Sequence, residues 1–236
     1  LKSRRIPCLV RNRRLVRNRR RCRLEGEPAG EPAGEAMTTI SICQNSSCTS
    51  LGASVLLRDL EELAFEQRGV KVEEYGCLGR CGKGPNLELK TGSGTTVKTG
   101  VTSFKKAVTI AVEEAECSLS ELDQKVGKLK FQARRETDAE KREKLIVKAI
   151  EALGGEAQAA KTSRFQLASI LVMRAKERVK TQLQDAIEDA QAAVGLAPTW
   201  PQAYIMLANC LEMASRSKEG SAALKEAIEI GTCINK

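Results

Sequence analysis

The sequence contains no histidine and few aromatic residues, and both absences limit its chemistry. Without an imidazole, Rieske-type ligation, a Ser-His-Asp triad and a histidine general base are excluded. Only 3% of the residues are aromatic while 42% are hydrophobic, which indicates aliphatic cores and alanine-rich helices. No apolar run approaches the roughly 20 residues that span a bilayer, so no membrane-spanning helix is predicted.

Acidic residues are missing from the first 24 positions, which contain ten arginines. The head, defined here as residues 1–36, has 11 lysines and arginines against 4 glutamates, whereas residues 37–236 are close to neutral. Because the head lacks the apolar residues of a core, we predict that it is disordered. It is interpreted as a transit peptide, a linker or sequence upstream of a start at Met37. Nucleic acid is not an expected partner, because the basicity belongs to the head.

Four of the nine cysteines form two pairs, Cys43-x4-Cys48 and Cys77-x3-Cys81. An odd number of cysteines in a chain of this length does not favour a disulfide scaffold, so a reducing compartment is predicted. The remaining five stand alone and are assigned no chemistry: Cys8, Cys22, Cys117, Cys210 and Cys233. Of these, Cys210 and Cys233 lie in helical patterns and are predicted to be small core residues.

Each cysteine pair is predicted at the end of a strand. Cys43 ends the first strand, Cys48 precedes a helix, and the second pair follows the next strand, so four thiols can meet at one end of a small sheet. Glycines surround the second pair and let backbone amides approach sulfur closely; they are Gly76, Gly79, Gly82 and Gly84. This arrangement suits a buried inorganic centre.

Four thiolates without histidine fit either a [2Fe–2S] cluster or a four-cysteine zinc site, because both use soft ligands in tetrahedral geometry. Structural zinc usually takes C-x2-C knuckles. Neither pair has that spacing, so iron–sulfur is favoured and zinc remains the alternative.

The residues around both pairs resemble the thioredoxin-like [2Fe–2S] ferredoxins, the family that includes the small NADH-dehydrogenase subunit. The resemblance covers about residues 37–116 and is carried by the segments CQNSSC (43–48), LGA (51–53) and YGCLGRCG (75–82). It implies a one-electron carrier for electron transport. The short spacer between the pairs is closer to a free-standing ferredoxin than to the dehydrogenase subunits.

The resemblance also implies which residues hold the cofactor. The ligands of the [2Fe–2S] cluster would be Cys43, Cys48, Cys77 and Cys81. Arg80 and Lys83 lie beside this predicted site, either as part of its environment or as solvated loop residues.

The periodicity predicts an α/β fold for residues 37–116. Strands are expected at 38–43, 70–76, 86–90 and 95–98, helices at 51–67 and 102–116, and a cluster loop at 77–85. An apolar stripe should make the first helix cover the sheet: Leu56, Leu57, Leu60, Leu63 and Ala64. The order of elements, βαβ followed by ββα, is thioredoxin-like, and with the resemblance above it implies a thioredoxin-like ferredoxin domain.

Residues 117–236 are predicted to be all-helical, with helices at 119–134, 138–153, 157–180, 183–195, 201–214 and 217–230. The segment AVGLAP (193–198) returns as AIEIGT (227–232) at an offset of 34 residues, and AIEALG (149–154) is a more distant copy. The period and the following residues resemble tetratricopeptide (TPR) repeats: Ala186, Ala190, Ala193, Pro198, Tyr204, Leu207, Ala208, Leu211, Gly220, Leu224 and Ala227.

Together the two resemblances imply an electron carrier that TPR repeats dock to a protein redox partner. The front helix of the first repeat is basic, and a solvated basic face is the favoured interpretation. The alternative is a clamp for an acidic peptide in the TPR groove, formed by Arg174, Lys176, Arg178 and Lys180, with Asn209 on the next front helix.

Two other function classes stay open. One is a TPR adaptor whose zinc or cluster is purely structural. The other is a thiol-redox enzyme, the least favoured because Cys43-x4-Cys48 is wider than the C-x-x-C of thioredoxins. The favoured function is non-enzymatic. The expected location is a plastid or mitochondrion if the head is a transit peptide, and the cytoplasm otherwise.

Overall fold

A four-stranded mixed sheet followed by helices makes up the chain in this computed structural model, which describes residues 38–67 and 69–234, with side chains as far as residue 231. The strand order is β2-β1-β3-β4, in which β1 is parallel to β2 and the other pairs are antiparallel. The strands are β1 (Thr38–Cys43), β2 (Val70–Tyr75), β3 (Leu87–Thr91) and β4 (Gly94–Lys98). The prediction of an α/β part followed by helices is therefore confirmed, while the head lies outside the described residues.

The sheet part contains short helices: α1 (Ser46–Thr49), α2 (Ala53–Ala64) and α3 (Phe104–Thr109), which continues as a π-helical turn (Ile110–Glu114). Both helices predicted for this part exist: α2 lies within the predicted 51–67, and α3 with its π-helical turn lies within the predicted 102–116. Gly52, with φ of 95°, separates α1 from α2, because glycine adopts this left-handed conformation at little cost.

Seven helices follow: α4 (Glu121–Arg135), α5 (Ala139–Ala152), α6 (Glu156–Thr162), α7 (Arg164–Arg178), α8 (Leu183–Leu196), α9 (Pro201–Met213) and α10 (Ser217–Ile234). The start of α4 has a capping box, in which Ser120 and Asp123 bond each other's backbone amides. The prediction of a single helix at 157–180 is wrong, because Ser163, with φ of −142°, separates α6 from α7. Helices α8 and α10 begin 34 residues apart.

None of the helices in the described ranges combines the length and the apolar character needed to cross a membrane. Their buried faces instead carry small residues. Ala186, Ala190 and Ala193 of α8 are fully buried, and so is Cys210 of α9, which confirms the prediction that Cys210 is a core residue. The side chain of Cys233 lies outside the described residues, as do Cys8 and Cys22.

The core of the sheet part lies between β1 and α2. Ile40 and Ile42 of the central strand are completely buried, and the leucines of α2 that were predicted to cover the sheet pack against them, including Leu56 and Leu60. This core also receives Phe131 from α4, while the core of the helices receives Phe65 from the end of α2. Each of the two predicted domains thus contributes a side chain to the core of the other, across the predicted boundary at residue 116.

A buried ionic network joins α2 to the helices. Glu62 accepts from Lys130 Nζ at 2.9 Å and from the Ser169 hydroxyl at 2.6 Å, and it is also paired with Arg134. Arg134 is at the same time paired with Asp59, one turn earlier on α2. Burial opposes ionisation of Glu62, but Arg134 and Lys130 outweigh it and lower the pKa of its carboxyl well below the usual range.

We predict that Glu62→Ala destabilises the protein by about 3–5 kcal/mol, because Lys130 and Arg134 would be left buried without their shared carboxylate. Glu61→Ala is the matched control, since the ion pair of Glu61 among the described residues is a long, partly exposed one with Arg58 at 3.7 Å, and its loss should cost less than about 1 kcal/mol. Urea unfolding followed by circular dichroism measures both. Equal losses in the two variants would contradict a structural role for the network.

Asp59 gives the protein a specific pH dependence. Burial raises the pKa of its carboxyl from 3.8 to about 6, although Arg134 opposes the shift. The folded state holds this proton more tightly than the unfolded chain, so Asp59 stabilises the fold most below about pH 4. This contribution to the free energy of unfolding decreases by up to about 3 kcal/mol as the pH rises through about 6. We predict that the difference in unfolding free energy between wild type and Asp59→Asn falls by this amount between about pH 4 and about pH 7. Parallel pH profiles would refute the assignment.

Candidate metal centre

The strand ends bring the two cysteine pairs to one edge of the sheet. Cys43 is the last residue of β1 and is in register with Tyr75, the last residue of the parallel strand β2, so Cys43 and Cys77 leave the sheet at the same end. Asn45 caps α1 through its side chain, and the amide of Cys48 donates to the Asn45 carbonyl at 2.8 Å. This cap turns the chain back and holds Cys48 beside the strand ends.

The second pair has the separation of two ligands on one metal. Sγ of Cys77 lies 3.8 Å from Sγ of Cys81. Two thiolates bound to one tetrahedral ion at about 2.3 Å are themselves about 3.8 Å apart. The amide of Gly79 donates to Sγ of Cys77 at 3.4 Å, so the loop already directs a backbone N–H at this sulfur. The spacing and the amide both fit a metal-bound thiolate.

The first pair is buried, whereas Cys77 and Cys81 are exposed. Burial opposes ionisation of Cys43, but the amides of Asn45 and Leu78 and the thiols of Cys48 and Cys77 lower its pKa overall. Burial raises the pKa of Cys48, and so do its hydrogen bond with Cys43 and the charges of Cys43 and Cys81. Each pair thus influences the other, which indicates that all four sulfurs share one electrostatic environment.

In the described ranges, no three cysteine, histidine or acidic side chains are placed to hold one metal ion together. A zinc site made of four cysteines needs all of its ligands around one ion, whereas each iron of a [2Fe–2S] centre takes two cysteines. The close Cys77–Cys81 pair therefore fits two ligands of one metal ion in either kind of centre.

Asn86 is a site residue that the sequence reasoning missed. It is only 1% exposed, and its side-chain amide donates to Sγ of Cys48 at 3.5 Å and to the carbonyl of Arg80 at 2.8 Å. Oδ1 of Asn86 is buried without a hydrogen-bond partner among the described residues. Its position just before an apolar strand was the sequence signal that could have identified it. An asparagine that is buried there must have hydrogen-bond partners for its side-chain amide.

Gly84 is held against Cys48. A Cβ atom built on Gly84 would lie 2.8 Å from Sγ and 3.2 Å from Cα of Cys48, which leaves no room for a side chain. The peptide bond from Gly84 to Pro85 is cis. Of the glycines predicted to surround the site, Gly84 is therefore required for space, whereas a Cβ on Gly76 would meet nothing within 4 Å.

A groove lies between α2 and the helices that follow the sheet. It has a volume of about 570 Å³ and is lined by Arg58 of α2, Arg142 of α5, Lys176 of α7, and Ile205 and Asn209 of α9. Lys176 and Asn209, two of the residues predicted to clamp a peptide, do line it.

The prediction that Arg174 and Arg178 also clamp a peptide is wrong. The guanidinium of Arg174 pairs with Asp189 at 2.6 Å, and that of Arg178 pairs with the same carboxylate at 3.1 Å. Asp189 lies on the neighbouring helix α8, and Arg174 also pairs with Glu156 of α6, so both cations have carboxylate partners within the chain. They stabilise the α7–α8 packing and are not available to an acidic peptide.

Comparisons of the chain with protein-family models, with curated proteins and with solved structures find no match. A functional proposal is therefore based on the geometry of the site and on the resemblance of its residues to a known family.

We predict that Gly84→Ala impairs the metal centre while Gly76→Ala does not. The added methyl group would displace Cys48 and destabilise the loop by about 1–3 kcal/mol, the usual cost of overpacking. Iron and sulfide content per chain after reconstitution measures the effect, and the Gly84→Ala protein should retain less than about half of the wild-type content at that cost. Equal metal content in the two variants would show that the contact with Cys48 is unimportant.

Proposed function

We propose that this protein is a one-electron carrier that holds a [2Fe–2S] cluster on Cys43, Cys48, Cys77 and Cys81. The observation that carries the proposal is the Cys77–Cys81 separation of 3.8 Å at an exposed site, beside a second pair that is buried. When bound, the cluster would supply one-electron oxidation and reduction, and no substrate chemistry is required of the chain.

The chain's own residues would tune such a centre. The amide of Gly79 donates to Sγ of Cys77, and the amides of Asn45 and Leu78 lower the pKa of Cys43 by favouring its thiolate; interactions of this kind stabilise negative charge on the ligands. The Asn86 amide adds a side-chain donor to Cys48. Because these donors sit on turns anchored by the ends of β1, β2 and β3, they are in place before any metal binds.

The two pairs have different exposures, which suggests different roles. Cys43 and Cys48 are shielded by α2 and by the Gly84 loop, so water reaches them poorly. Cys77 and Cys81 lie at the surface and would give a redox partner a short path to the centre. The proposed electron route therefore passes through the second pair.

The thioredoxin-like and TPR identities are part of the proposal. The mixed sheet order β2-β1-β3-β4 supports the first, and the start of α8 and α10 at a spacing of 34 residues supports the second. The groove lined by Lys176 and Asn209 is where a peptide of the redox partner would be held. Tethering of this kind raises the local concentration of a partner without changing the metal centre.

We predict about two irons and two sulfides per chain, with the visible absorption and reduced-state electron paramagnetic resonance of a [2Fe–2S] protein. Replacing Cys43, Cys48, Cys77 or Cys81 by serine should abolish that signal. Cys117→Ser and Cys210→Ser are matched controls, because both are buried free thiols outside the two pairs, and they should retain it. Stoichiometric zinc without visible absorption would favour the structural-metal adaptor instead.

A further inference from the structure

Four exposed cations lie on the loop of Cys81 and at the start of α3. Arg80 and Lys83 flank Cys81 in sequence and are exposed, as are Lys105 and Lys106 at the start of α3. We name these four residues the cationic rim. None of them forms an ion pair with another described residue, whereas the neighbouring Lys98 is neutralised by Glu114 at 2.6 Å.

Backbone contacts fix the rim beside the cysteines. The carbonyl of Lys83 accepts from the amide of Gly100 at 2.7 Å, and the carbonyl of Gly100 accepts from Lys106 Nζ at 3.0 Å. The loop before α3 is thereby held against the cysteine loop. Two cations that are distant in sequence, Lys83 and Lys106, thus lie on one surface with Cys81.

Few acids offset these charges. The stretches 75–87 and 89–112 contain no aspartate or glutamate. Glu88, which separates them, is paired with Lys90 at 3.0 Å. Glu74, at the end of β2, is the exposed acid nearest in sequence to Cys77. The local excess of positive charge is therefore about four against one, although the described part of the chain as a whole is close to neutral.

Two exposed apolar residues lie close in sequence to the cysteine pairs. Leu51, which follows the helix of Cys48, is 45% exposed, and Tyr75, at the end of β2, is 42% exposed. An apolar centre with a charged periphery is the usual composition of a protein–protein interface, in which aromatic residues are enriched. A surface for lipid headgroups or for a phosphate backbone would not need this apolar centre.

We infer that the cationic rim is the docking face for electron transfer and that it binds an acidic surface of the redox partner. The inference rests on the proposed function and adds the chemistry of the partner. Opposite charges steer a partner to the exposed cysteines and raise the association rate, while the apolar residues complete the contact. The groove between α2 and the helices would hold a separate segment of the same partner.

Oxidation of the reduced protein by small cobalt(III) complexes tests the rim. The quantity measured is the ratio of the rate constants for an anionic and a cationic complex, because a change in reduction potential largely cancels in this ratio. For Lys83→Glu/Lys106→Glu we expect the ratio to fall at least about 10-fold at low ionic strength, and the difference should disappear at high salt. Lys83→Gln/Lys106→Gln should give an intermediate fall.

The matched control is Lys148→Glu/Lys161→Glu, which changes the net charge equally at exposed lysines of α5 and α6. Its ratio should stay within about 2-fold of wild type, because the Coulomb interaction with the complex weakens as the charge lies farther from the cysteines. An equal fall in the rim and control variants would overturn the inference. So would an unchanged ratio in the rim variant whose visible spectrum is intact.

Binding of a labelled polyglutamate peptide provides a readout that needs no cluster. Fluorescence anisotropy at low salt should show binding at least about 5-fold weaker to Lys83→Glu/Lys106→Glu than to the control variant, while the basic head contributes equally to both. If no cluster forms but this difference is present, the proposed function fails and the acidic-partner surface stands. If the rim variant instead loses binding only to phosphatidylserine vesicles or to single-stranded RNA, the acidic-protein assignment is wrong.

Discussion

The packing of the sheet part against the helices depends on the ion pairs and the hydrogen bond that the buried carboxylate of Glu62 makes. Glu62 lies on α2 and holds Lys130 and Arg134 of α4 and Ser169 of α7, so one side chain ties three helices together. A buried carboxylate is costly unless all of its oxygens have partners, and here both oxygens are bonded. Because α2 also shields Cys43 and Cys48, the same contact connects the helices to the proposed metal centre.

The rare aromatic residues are concentrated at this junction. Phe65 stacks on Phe165 at a centroid distance of 4.2 Å, and Trp200 meets Phe165 edge-on at 5.2 Å. Phe104 of α3 and Phe131 of α4 form a second pair at 5.9 Å. All four phenylalanines and the single tryptophan thus lie where the sheet part meets the helices. Cutting the chain after residue 116 would expose both aromatic clusters, so the sheet part is not expected to be stable alone.

The sequence was informative for features that residues close together along the chain determine, such as strands and motif spacing. The strands and the cysteine positions follow from period and spacing, and β1 was predicted at its observed bounds. The Glu62–Ser169 contact joins residues 107 positions apart, and no local pattern identifies such a pair. For the same reason Arg174 and Arg178 were interpreted as free cations, since their partner Asp189 lies on the next helix. The break at Ser163 was missed because neither glycine nor proline marks it.

The residues missed at the site have a common physical cause. Asn86 and Gly84 act through space on Cys48, 38 and 36 positions earlier in the chain, and their roles depend on a loop that folds back over α1. A spacing argument identifies sulfur ligands because metal chemistry dictates which side chains can bind, whereas support for a ligand can come from any polar or small residue. The cationic rim likewise depends on a contact between distant segments, because the contact of the Gly100 loop with Lys83 brings Lys106 to the cysteines. The proposed ligands could therefore be selected from sequence alone, whereas the surroundings that would tune the centre and select its partner required the fold.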